Sequence, residues 1–188
     1  MKNVFYAVLI ALLLGGCSYK NESITLKSYK ADYAAEVSQE KKTISLSVVK
    51  DIRTDKRTVG YIEQDGKKIV TLFSDTNAEA KYKEGLIHAM NLAGFRTNAG
   101  DNLASFDVEV YIKNIKLVYN DKSFDENLKG TIEIEVIVKR GSETIKQNFV
   151  QKAGVWISPS YSSKDLEPFL NTLFSDSIND IVSRLTRY

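Results

Sequence analysis

Phe106, Val108, Val110 and Ile112 alternate with polar neighbours, and after Ile112 the apolar parity shifts to Ile115, Leu117 and Tyr119. Period-two alternation puts every apolar side chain of a strand on one face. The shift demands one extra residue near Lys113-Asn114, a bulge that returns Ile115 to the buried side. A strand this long must share a sheet. Ile132, Ile134, Val136 and Val138 alternate next, and Arg140-Gly141-Ser142 turns the chain into a further strand from Thr144 to Trp156. The short turn makes these neighbours antiparallel.

Upstream, the alternation Ile44-Ser45-Leu46-Ser47-Val48 begins the expected folded part. Val59 to Ile62 and Ile69 to Phe73 read as short strands around Gln64-Asp65-Gly66-Lys67, where Asp-Gly signals a hairpin. Tyr82, Leu86, Ala89, Met90 and Ala93 then share one helical face, with Asp75 or Thr76 as the expected cap and Gly94 as the left-handed stop. Leu166, Phe169, Leu170, Leu173, Phe174, Ile178, Ile181, Val182 and Leu185 make a second stripe. Ser163 or Asp165 is the expected cap there, with Pro168 tolerated in the first turn. The order β-β-β-α-β-β-β-α predicts an α+β fold: a mostly antiparallel sheet with two amphipathic helices packed on one face.

The chain opens with MKNVFYAVLIALLLGGC. Lys2 is a positive n-region, and Val4 to Leu14 is an apolar run too short for a comfortable bilayer span. Small residues before a cysteine are what a bacterial lipoprotein signal peptidase accepts, and Leu14-Gly15-Gly16-Cys17 resembles a lipobox. That resemblance implies cleavage before Cys17 and acylation of its thiol and new amine. Ser18, in place of the Asp that often marks inner-membrane retention, resembles the outer-membrane-sorted kind. The expected divisions are a signal peptide over 1–16, a lipidated N-terminus and polar tether over 17–43, and one globular domain over 44–188. Within the leader two further options stay open: Ile24, Leu26 and Tyr29 add an edge strand, or Tyr29, Tyr33 and Val37 form one short helical face.

Composition excludes several chemistries. The 188 residues include one cysteine and one histidine, so neither an internal disulfide nor a His/Cys zinc site can form. Lys plus Arg total 26 against 24 Asp plus Glu, a net charge of +2 that gives no general pull toward nucleic acid. No Walker loop, Gly-x-Gly-x-x-Gly or Gly-x-Ser-x-Gly occurs. His88 reads as a helix-boundary residue without an oriented nucleophile and carboxylate. Asp51, Arg53 and Asp55 read as a turn held by a local Asp–Arg pair, or else as a loop contact. Asp121, Asp125 and Glu126 carry no metal pattern. Trp156 and Tyr161 flank a proline near a helix entrance. Either Trp156 caps the core beneath the helix, or the pair forms a binding hot spot.

The lipobox, the Asp51-x-Arg53 segment after a strand, the helix ending Ala93-Gly94-Phe95-Arg96, the parity-shifted strand and the last helix occur in that order. Together they resemble the YajG-type bacterial lipoproteins over residues 44–185. The resemblance implies an envelope lipoprotein with an α+β domain and supplies no catalytic residues. The expectation is therefore a non-enzymatic lipoprotein, anchored by lipid in the outer membrane and facing the periplasm. It would have no cofactor or metal and would bind an envelope protein partner. The alternatives are a module binding lipid, glycan or another small ligand in a groove lined by Phe95, Trp156 and Tyr161, or a surface-exposed adhesin.

Overall fold

The structure, a computed structural model, describes residues 21–30, 32–35, 37–38, 42–97, 104–121, 125–159 and 161–188. The elements are β1 (Glu22–Ser23), β2 (Thr43–Asp51), β3 (Thr58–Gln64), β4 (Lys67–Phe73), α1 (Ala78–Leu92), β5 (Arg96–Thr97), β6 (Phe106–Asn120), β7 (Leu128–Arg140), β8 (Glu143–Val155) and α2 (Ser163–Leu185). They form an α+β fold whose eight strands make one sheet.

β6 is the spine of that sheet. One edge of it pairs antiparallel with β7, from Asp107↔Lys139 to Tyr119↔Leu128. The other edge is shared: β2 runs parallel to its first half up to Asp51↔Ile112, and β3 resumes parallel beside Gly60↔Leu117. β2 and β3 thus act as one strand interrupted by a loop. The sheet is mostly antiparallel by paired residues, as expected, but it is mixed. The hairpins β3–β4, β6–β7 and β7–β8 are antiparallel, whereas β1–β4, β2–β5, β2–β6 and β3–β6 are parallel. The parallel pairs on β6 follow from the crossover through α1, since a tight turn cannot make a parallel neighbour.

The bulge stands where the parity requires it. Ile112 faces Ile134 and Asn114 faces Glu133, so Lys113 is the extra residue. Phe106, Val108, Val110 and Ile112, and then Ile115, Leu117 and Tyr119, are all buried on one side. The opposite side carries Glu109 with Lys139, and Glu135 with Lys113 and Lys146. In the hairpin between β3 and β4, Asp65 and Gly66 take φ of 53° and 73°, as a two-residue turn with the twist of its strands requires.

Both apolar stripes are buried, with Tyr82 edge-on to Phe174 at 4.7 Å joining the two helices. The caps differ from expectation by one or two residues. Asn77 accepts from the Ala80 backbone N–H at 3.0 Å and starts α1. Ser162 precedes α2, and the Asp165 carboxylate accepts from its backbone N–H at 2.6 Å. Pro168 therefore lies in the second turn and forfeits one intrahelical bond.

The leader is not a solvated tether over residues 22–29. Glu22 and Ser23 extend the sheet beside Leu72 and Phe73, and Ile24, Leu26 and Tyr29 are buried. Its backbone is held by helix side chains. Asn171 accepts from Lys27 N–H at 2.6 Å and donates to the Thr25 carbonyl at 3.2 Å. Thr76 accepts from Leu26 N–H, and the Tyr29 hydroxyl donates to Asn179 at 2.5 Å. These bonds replace the water that an extended polar segment would otherwise keep.

Candidate functional site

Asp51 and Arg53 meet at the break between β2 and β3. Their side chains are only 5% and 6% exposed, and Arg53 Nη2 lies 2.7 Å from Asp51 Oδ2. The guanidinium also donates from Nε to both carboxylate oxygens, and to the carbonyls of Lys56 and Thr58. Asp55 accepts from the backbone N–H groups of Arg57 and Thr58. These bonds turn the guanidinium toward the loop, so the pair holds the interruption closed. Beside it, Leu26, Arg53, Val59, Tyr82, Ile115 and Phe174 surround a space of about 10 Å³, at most one water molecule.

The aromatic groove does not assemble. Phe95 is buried edge-on to Phe106 at the start of β6, while Tyr161 packs on Tyr119, at 4.3 Å, near the end of it. His88 is exposed on α1. Among the described residues no group of three His, Cys, Asp or Glu side chains could hold a metal. Among them, too, no helix is long and apolar enough to cross a membrane.

Trp156 does not cap the core. It is 53% exposed, next to Val155 at 36%, where the chain leaves β8. The loop carrying it is tightly held. Asn127, itself buried, donates to the Ile157 carbonyl at 2.7 Å and accepts from the Ile157 N–H at 2.8 Å. Tyr161 fixes the other end against Tyr119. A large aromatic presented on a rigid loop loses little entropy on binding. Among the described residues β8 pairs only with β7, so its outer edge is open beside Trp156, with Val150 half exposed on the strand. Sequence reasoning selected Trp156 and Tyr161 but missed Asn127, whose backbone-like pairing with Ile157 has no periodic signature.

Leu14, Gly15, Gly16, Cys17 and Ser18 lie outside the described residues. No curated protein matches the chain by sequence. Among solved structures it is similar to protein XCC0632 from Xanthomonas campestris, of family DUF330. The TM-score is 0.54 at 11% identity, covering 87% of this chain and 91% of that one. It is also similar to the hypothetical protein CT253 from Chlamydia trachomatis, with a TM-score of 0.46 at 11% identity, covering 79% and 98%. At these identities the first likeness speaks for the fold alone, and the second is too distant to argue from. Residues 30–184 match the model of a family described as "Uncharacterized lipoprotein". That match takes in both helices but for the last residue of α2, along with every strand except β1, and the chain belongs to this lipoprotein family.

Proposed function

We propose that this chain is a lipid-anchored envelope lipoprotein without enzymatic activity, which binds a protein partner through the Trp156 loop and the adjoining end of β8. Family membership supports the envelope setting. Leu14-Gly15-Gly16-Cys17 supplies the anchor, Ser18 favours the outer membrane, and the domain faces the periplasm. The YajG-type resemblance agrees with that placement. The observation that carries the reading is Trp156, more than half exposed on a loop pinned by Asn127 and Tyr161. Binding hot spots are enriched in tryptophan.

Crosslinking in intact envelopes, with and without Trp156→Ala, tests the binding role. The variant should melt like the parent and lose its crosslinked partner. A Trp156→Ala chain that keeps the same crosslinks, or that unfolds, overturns it. Cys17→Ser should leave an uncleaved or mislocalised precursor, and normal fractionation of that variant as a mature membrane protein overturns the anchor. Protease added to whole cells should leave a periplasm-facing domain intact.

A further inference from the structure

On the sheet face away from the helices, the interruption between β2 and β3 opens a groove of about 330 Å³. Tyr61, Lys68, Lys113 and Lys116 line it together with the loop of Arg53 and Asp55. Arg53 is saturated by Asp51 and carbonyls, and Lys113 reaches Glu135 at 3.5 Å. Lys68 and Lys116 are different. Their ammonium groups sit 4.3 Å and 5.4 Å from the centre of the same Tyr61 ring. Among the described residues neither has a carboxylate within ion-pair distance. One ring attracts both cations but cannot cancel their mutual repulsion. An anion entering the groove from solvent meets both charges, and a phosphate group is small against its volume.

The path of the leader says which phosphate. Asn21 Oδ1 accepts from the Thr71 backbone N–H at 3.2 Å, and Thr71 stands opposite Tyr61 in the β3–β4 ladder. Asn21 is thus two strand spacings, about 10 Å, from Tyr61. Cys17 is four residues earlier in the chain, which span at most about 14 Å. β1 runs parallel to β4, so Asn21 lies on the side of Glu22 toward the β3–β4 turn, where Lys68 lies.

We infer that the Tyr61–Lys68–Lys116 groove docks on the phosphates of anionic lipid headgroups in the membrane that holds Cys17, setting the domain with its β3–β4 turn against the bilayer. This rests on the proposed lipidation. The short reach from Cys17 makes the headgroup layer the nearest dense source of phosphate, and two exposed cations in one groove, without carboxylate partners among the described residues, suit its charge.

Full-length acylated protein in vesicles tests the pose. Cys17 is blocked by its acyl chain, so a dye on Lys67→Cys has a unique thiol. Energy transfer to a headgroup-labelled lipid should be higher in vesicles containing phosphatidylglycerol than in phosphatidylcholine alone. Lys68→Glu/Lys116→Glu, both exposed positions, should lower it to the phosphatidylcholine level with an unchanged melting curve, and Lys68→Gln/Lys116→Gln should do so in part. A dye on Ser142→Cys, at the opposite end of the sheet, should stay dark throughout. Equal transfer in the two vesicles, or no effect of the lysine variants, overturns the docking. Lysine-dependent binding of inorganic phosphate together with equal transfer in the two vesicles would assign the groove to a free phosphate. Mass measurement of the Cys17 peptide separates the two levels: an unacylated cysteine overturns the anchor itself, whereas an acylated chain without apposition overturns the docking alone.

Discussion

Asp51 and Arg53, two residues apart, form a forked ion pair that is almost wholly shut from solvent at the point where β2 leaves β6. Removing one partner strands the other in a dry site. Arg53→Ala should therefore cost about 3–5 kcal/mol in chemical denaturation. Arg53→Lys should recover less than half of that, because an ammonium cannot replace the planar fork and its two carbonyl bonds. A surface role in partner binding predicts the opposite, a stable variant with lost crosslinks.

Gly60 and Gly130 both lie where another chain segment passes too close for a side chain. At Gly60 an added Cβ would strike the Leu117 carbonyl of β6, and at Gly130 it would strike the end of the Leu173 side chain. Overpacking typically costs about 1–3 kcal/mol. Gly60→Ala should fall at or above the top of that range, since backbone cannot step aside, and Gly130→Ala nearer the bottom, since a leucine rotamer can. Thermal melts of the two variants give the order.

Asn171 grips the leader backbone at Thr25 and Lys27. Asn171→Leu keeps the branched shape and removes both leader bonds, leaving the leader groups to find water. The expected loss is about 1–3 kcal/mol. Hydrogen exchange should quicken at residues 25–27 far more than in β6 or β7.

Tyr29 supplies the pH dependence. Burial, with Asp32 beside it, pushes its hydroxyl up to about 12 from an ordinary value of 10.0. The folded state thus holds this proton more tightly than the unfolded chain. Its contribution is complete below pH 10 and is lost as pH rises toward 12. Proteolysis of the leader should accelerate across that window, and Tyr29→Phe should flatten the dependence.

The bulge at Lys113 was legible because a shift in apolar parity has one structural solution, and the hairpin at Asp65-Gly66 because both residues need positive φ. The parallel pairings of β2 and β3 with β6 were not, since they depend on a crossover that joins residues about sixty positions apart. Ile24, Leu26 and Tyr29 looked too sparse to fold. Their order comes from Asn171, Thr76 and Asn179, whose amides and hydroxyl act on backbone and side chain without any period. The Asp51–Arg53 pair was readable because its partners are local. Trp156 was not, because the same apolar ring suits a core and a contact surface, and only the position of β8 at the sheet edge decides between them.

The leader's course also fixes how the fold carries mechanical load. A pull applied at residue 21 enters through the parallel β1–β4 pairing and passes on to Asn171 and Asn179 of the final helix. The first bonds lie across the direction of pull, so they share the force and yield together instead of unzipping. Traction on the amino end is therefore delivered at once to the element nearest the carboxyl end. Over residues 22–29 the leader would be tugged together with the helix that holds it.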